Sequence, residues 1–228
     1  MLDDPGTSPG SAATPLLDET LLEIKKQLRA LEENTYRRTD PLWDDDDKTA
    51  DVVGIADGAV KRHGKIIEVA FRHAFRRAGI EVHKVPARRF GREIDALIHV
   101  PGSRLLLAID VKRGWSRHDS GKLRDMRAGL PEMKEASKAF AKFERWPVDL
   151  RDYRIEPWHY FHYKQDPKRG ITSKMLLEYT DIDPAPYIEA ATEVFKKGVA
   201  ELLARKPRGW WDRRVMNEWP RGETKNES

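Results

Sequence analysis

Glu93-Ile94-Asp95-Ala96-Leu97-Ile98-His99-Val100, Pro101-Gly102-Ser103-Arg104 and Leu105-Leu106-Leu107-Ala108-Ile109-Asp110-Val111-Lys112 form the continuous stretch whose reading decides the fold. The first run alternates, placing Ile94, Ala96, Ile98 and Val100 on one face of a strand. The third run alternates too, with Leu105, Leu107, Ile109 and Val111 on one face and Leu106, Ala108, Asp110 and Lys112 on the other. Between them lies a turn signal rich in Pro, Gly and Ser. Closing the turn at Gly102-Ser103, or looping out all four residues, gives one register, in which Asp95 lies directly opposite Asp110. Directly paired residues share a face, with Cβ atoms roughly 5 Å apart. Lys112 joins that face two residues on. Two carboxylates held so close repel, and one pKa rises unless a cation sits between them. A divalent metal with oxygen ligands resolves the conflict.

The rest of the chain suits this reading. Its 228 residues can bury one medium core. No run approaches a membrane span, and no basic-then-apolar secretory signal opens the sequence. With no cysteine the chain has no disulfide, thiol nucleophile or thiolate metal site, which fits a cytoplasmic protein. The net charge of +4 is unevenly distributed. Residues 1–50 carry 6 Lys and Arg against 12 Asp and Glu, a net of −6, leaving +10 on residues 51–228. A basic body suggests a polyanionic partner.

Four segments follow from the pattern: a disordered leader (1–16), an amphipathic helix with an acidic linker (17–50), a folded domain (51–205) and a basic tail (206–228) holding Trp210, Trp211 and Trp219. Leu17, Leu21, Ile24, Leu28 and Leu31 make an a/d seam, either packed on the body of the chain or offered to a second copy. Asp44 to Asp47 read as a solvated charge run. A helix is expected from Gly58 to Gly79, with Ile67, Ala70, Phe71, Ala74 and Ala78 as its stripe and Glu68 on the stripe's edge. The bland account of Glu68 is a surface pair with Arg72. A strand at 80–85 precedes the basic loop 88–92, and an irregular basic stretch follows Gly114. Further expectations are a helix from Pro131 to Arg145, an aromatic strand from Arg154 to Tyr163, and a helix from Pro184 to Ala204. His159 and His162, three apart on a strand, face opposite sides and cannot chelate together.

A helix bearing Glu68, a strand bearing Asp95 and the next strand bearing Asp110-Val111-Lys112 together resemble the PD-(D/E)XK, or restriction-endonuclease-like, nucleases over roughly residues 58–114. Ile94 stands where that family has proline, and no Gln-x-x-x-Tyr follows the hairpin. The resemblance implies an α/β fold with a central mixed sheet flanked by helices. It implies that Asp95, Asp110 and the Val111 carbonyl hold Mg²⁺, with Mn²⁺ able to substitute. Glu68 would hold a second ion or orient water, and Lys112 would activate the attacking water or stabilise developing phosphorane charge. The expected activity is a restriction-type endonuclease on double-stranded DNA. Repair, junction-resolving and phage nucleases, or a non-catalytic DNA-binding scaffold on the same fold, are the alternatives. Arg113, Arg117, Lys122, Arg124 and Arg127 are the expected DNA contacts, because they follow the catalytic strand. Cutting both strands suggests a homodimer, for which the Leu17–Leu31 helix offers an apolar surface.

Overall fold

The computed structural model describes residues 18–34, 47–114, 120–144, 152–163 and 165–205. The leader, Asp44 to Asp46, Arg117 and the tryptophan-bearing tail lie outside them. The described elements are α1 (Asp18–Asn34), α2 (Asp47–Arg77), β1 (Val82–Val85), α3 (Ala87–Phe90), β2 (Ile94–His99), β3 (Leu105–Gly114), α4 (Ser120–Ala128), α5 (Leu130–Phe143), β4 (Arg154–Tyr163), α6 (Ser173–Thr180) and α7 (Ala185–Ala204). The four strands form one mixed sheet in the order β1-β2-β3-β4. The pairs β1–β2 and β2–β3 are antiparallel, and β3–β4 is parallel. An α/β protein with a mixed sheet flanked by helices is therefore what the chain forms.

Sheet alternation sorts the core into two layers. Ala96, Ile98, Leu105, Leu107, Ile109 and Val111 pack with Phe71, Phe75, Ile188 and Phe195 of α2 and α7. Leu97, Leu106 and Ala108 pack with Met133, Ala136 and Phe140 of α5. The seven residues from Leu105 to Val111 are all buried, as a strand covered on both faces requires. Ile94 departs from the expected face and joins Val85 and Leu97 in the α5 layer. The β1–β2 register slips between His83 and Val85, so alternation from Ala96 does not extend unchanged to Ile94. In the α2 layer the rings of Phe71, Phe75 and Tyr160 meet at 5.1 and 4.9 Å, each tilted contact adding about 0.5–1.5 kcal/mol beyond burial.

The α2 helix begins at Asp47, eleven residues before the expected Gly58 start, and so takes in the end of the assigned linker. Ile55 and Ala59 continue its buried stripe. Gly58, which alone would weaken the helix by about 1 kcal/mol, makes room for α1: a Cβ there would lie 2.7 Å from Leu31 Cδ2. A Cβ on Gly198 of α7 would lie 2.3 Å from Leu28 Cδ1. Both seam residues therefore sit in notches on the same chain. Arg76 clamps Glu19 at 2.6 and 2.8 Å, Arg62 donates to Gln27 at 2.8 Å, and Thr20 bonds His73. Ile24 and Leu31 are buried by these contacts, so the seam packs on the body of its own chain, one of the two arrangements its spacing allows. Three smaller corrections concern α4, expected to be irregular; α6, which was not expected; and Phe143, which is 46% exposed rather than in the core stripe. Thr172 caps α6 by accepting from the Met175 amide. Among the described residues no helix is long and apolar enough to cross a membrane.

Two buried histidines make the fold acid-sensitive. Burial, then the charge of Arg113, lowers the His63 pKa to about 3; burial lowers that of His162 to about 4. His63 still bonds Thr192 Oγ1 at 3.0 Å, whereas His162 Nδ1 has no hydrogen-bond partner among the described residues. Both folded values lie below the ordinary histidine value of 6.5, so the unfolded chain takes up these protons first. Their contribution is complete above that value and is lost as pH falls toward 4. Each histidine should contribute about 1.4 kcal/mol per pH unit between pH 6 and 5. Urea unfolding of wild type and His162→Gln across that range should show the shallower dependence in the variant. Parallel pH dependences would contradict this role.

Candidate functional site

The hairpin register is the one that the alternation predicts. Ala96 pairs with Ile109, Leu97 with Ala108 and His99 with Leu106, so Asp95 falls opposite Asp110. Gly102, with φ of 67°, lies in the turn, and the Val100 amide donates to the Leu105 carbonyl to close it. Asp95 and Asp110 are 4% and 7% exposed, deep enough that charge on both is costly. Burial, followed by the negative charges of Glu68 and Asp110, raises the Asp95 pKa to about 7. Burial works against ionised Asp110 too, but the His159 hydrogen bond and Lys112 outweigh it and hold Asp110 at about 2. Below about pH 7 the pair thus carries one proton, on Asp95, whose hydroxyl donates to Asp110.

Each carboxyl is fixed from several sides. Asp95 Oδ2 accepts from the Val111 amide at 2.9 Å. The adjoining Asp95 carbonyl accepts from buried Arg72 at 2.8 Å. Arg72 thus turns inward, away from the surface role that pairing with Glu68 would give it. Asp110 Oδ1 accepts from Lys112 Nζ at 2.6 Å, and Oδ2 lies 3.1 Å from His159 Nδ1. The other ring nitrogen of His159 donates to the Met126 carbonyl at 3.0 Å, tying α4 to the carboxylate on β3. Glu68 projects from α2, held by Lys65 at 2.6 Å and Lys84 at 3.8 Å.

These residues line one cleft of about 320 Å³, formed by Glu68, Ala87, Gly91, Arg92, Glu93, Asp95, Asp110 and Lys112. Glu68, Glu93 and Asp95 each aim a carboxylate oxygen at the others, all within 4.8 Å. Asp110 is not in that triplet. Three hard oxygen donors, one of them on a carboxyl whose pKa is raised by burial and neighbouring negative charge, suit a small divalent cation such as Mg²⁺ or Mn²⁺. The structure therefore gathers Glu68, Asp95, Asp110 and Lys112 as expected, and adds two residues that sequence reasoning missed. Glu93 stands two positions before Asp95, close enough to have been found by extending the strand pattern. His159 meets Asp110 through the parallel β3–β4 register, which pairs Asp110 directly with His159.

The expected DNA contacts scatter. Strand alternation puts Arg113 on the opposite face from Lys112, where its charge acts on His63 and Tyr163. Lys122, Arg124 and Arg127 lie on α4; the last two are exposed, and Arg127 donates to the Lys168 carbonyl at 3.4 Å. The side chain of Lys122 lies outside the described set.

Because Asp95 is protonated below about pH 7, a cation must displace that proton. Mn²⁺ affinity should weaken by up to about tenfold per pH unit below 7 and level off above it. Calorimetry at pH 6 in buffers of unequal ionisation enthalpy should report proton release on binding. A pH-independent affinity without proton release would contradict the shared-proton arrangement.

Compared with family models, with curated proteins and with solved structures, the chain finds no match, so its site is read from its own residues.

Proposed function

We propose that the protein is a Mg²⁺-dependent endonuclease of restriction type, built on a restriction-endonuclease-like core and acting on double-stranded DNA. The observation carrying this reading is the buried Asp95–Asp110 pair, set opposite one another on adjacent strands, with Lys112 and Glu68 opening onto the same cleft. A pair of acids that must share a proton destabilises an empty sheet, and phosphodiester hydrolysis is a reaction that needs such a pair.

Asp95, Glu68 and Asp110, with the Val111 carbonyl, are the residues assigned to the metal; Glu93 extends the set. The cation would supply Lewis-acid polarisation of a phosphoryl oxygen and charge neutralisation. Lys112, at 39% side-chain exposure, reaches the cleft with its ammonium beside Asp110. There it orients the attacking water and stabilises charge developing on the phosphorus oxygens. Glu68 accepts a proton or a hydrogen bond from that water. His159 fixes the rotamer of Asp110. Hydrolysis of the P–O3′ bond leaves a 5′-phosphate and a 3′-hydroxyl. Exposed Arg124 and Arg127 on α4, joined to Asp110 through His159 and Met126, favour DNA running past that end of the sheet.

Plasmid incubated with the protein and Mg²⁺ or Mn²⁺ should be nicked and linearised, and EDTA should stop it. Asp110→Ala should lower cleavage by at least about 10²-fold while keeping DNA affinity, since it removes negative charge near phosphate. Lys112→Ala should lose most turnover with Mn²⁺ affinity retained, and Glu68→Gln should be milder. Cleavage at the wild-type rate by both Asp95→Asn and Asp110→Asn would place the chemistry elsewhere. DNA binding without cleavage of supercoiled, linear or branched substrates would favour a non-catalytic DNA-binding protein.

A further inference from the structure

We propose that Arg92 grips the phosphodiester of the substrate strand inside the cleft that it lines with Lys112, a role that rests on the nuclease reading of the site. Four carboxyls line that cleft, Glu68, Glu93, Asp95 and Asp110, against two cations, Arg92 and Lys112. Lys65 and Lys84, from outside the lining, pair with Glu68 and Glu93. Lys112 is already committed to Asp110 at 2.6 Å. Arg92 is the cation in the lining that the acids of the site do not hold.

Arg92 gains little from its own surroundings. Its guanidinium lies against Gly129, where α4 ends and α5 begins; a Cβ at Gly129 would be 3.0 Å from Nη2. The negative end of one helix and the positive end of the other meet there, so their dipoles oppose one another at the guanidinium. No side chain caps this end of the 14-residue α5. The ion pair made by Arg92, to Glu132, is long at 3.7 Å, and the Glu132 side chain is 68% exposed. Such a pair adds little in water. The position therefore owes little to stability, and the guanidinium can turn its donors to an anion in the cleft that it lines.

The local backbone delivers the residue to this cleft. Pro86 ends β1, α3 makes a single turn, and Gly91, at φ of 79°, reverses the chain through a conformation that a side chain would strain. Arg92 thus enters the lining directly after the reversal, and Arg88 and Arg89 remain exposed on α3. A guanidinium offers two parallel N–H donors to two phosphate oxygens, a geometry that lysine cannot reproduce. The group held is a backbone phosphate of the nucleic acid; base recognition is not involved.

The test uses full-length wild type, Arg92→Ala and Arg92→Lys. Binding of a fluorescent duplex oligonucleotide is followed in EDTA across a salt series, plasmid cleavage is followed in Mg²⁺, and Mn²⁺ binding is measured without DNA. Arg92→Ala should flatten the dependence of log K on log[salt] by about one and raise KM by about tenfold. Its Mn²⁺ affinity should stay at the wild-type value and its melting temperature should not fall. Arg92→Lys should keep the salt dependence but recover only part of the KM, since it restores charge without the two-pronged contact. A wild-type salt dependence and KM in Arg92→Ala would overturn the assignment. Loss of Mn²⁺ affinity in that variant would overturn it too, by making Arg92 a support of the acid cluster. If wild type cuts nothing, yet Arg92→Ala still flattens the salt dependence, the phosphate contact stands and the nuclease reading falls.

Discussion

Asp95 and Asp110 sit opposite one another on neighbouring strands of a sheet that helices cover on both sides, and the surrounding structure answers that conflict. Low-dielectric surroundings and mutual repulsion let the pair keep only one negative charge. Lys112 and His159 steady ionised Asp110, while the Val111 amide orients Asp95. Arg72 secures the Asp95 backbone from the α2 side. Removing one such partner would leave a buried charge or acceptor unsatisfied, typically costing about 1–3 kcal/mol. The frame holding these groups is rigid because β3 is buried along most of its length and α2 is gripped by α1 and α7.

Stability and the proposed activity pull in different directions here. The α2-side core, with its two tilted aromatic contacts and its glycine notches, serves only the fold. The cleft collects four carboxyls, among which Asp95 is strained by burial and neighbouring charge, together with an arginine whose ion pair to exposed Glu132 is long. Strain of this kind concentrates where a ligand relieves it. A cation would let Asp95 give up its proton, and a phosphate would neutralise Arg92.

What could be read from the sequence was what depends on local periodicity. Strand alternation and one turn fixed which residue faces which across β2 and β3, because a hairpin leaves its register little freedom. The edge position of Glu68 on an amphipathic helix was legible for the same reason. His159 was not, since its place beside Asp110 comes from parallel pairing between strands separated by α4 and α5. Nothing local encodes that register. The early start of α2 was hidden by Gly58, whose helix-weakening effect is offset by contact with Leu31 in a distant segment. The α1 seam fits either a partner or the chain's own body by its spacing; the glycine notches in α2 and α7 decide for the latter. Arg113 was grouped with Lys112 by nearness in sequence, though strand alternation alone separates their faces.

The claim on which the account stands is that the Asp95–Asp110 pair needs a cation. Crystals grown with Mn²⁺ at pH 8, with diffraction recorded at the manganese edge, test it most directly. The account predicts an anomalous peak in the cleft within coordinating distance of Asp95, with Glu68 or Asp110 as a second ligand. A cleft without a peak at saturating Mn²⁺ would contradict it.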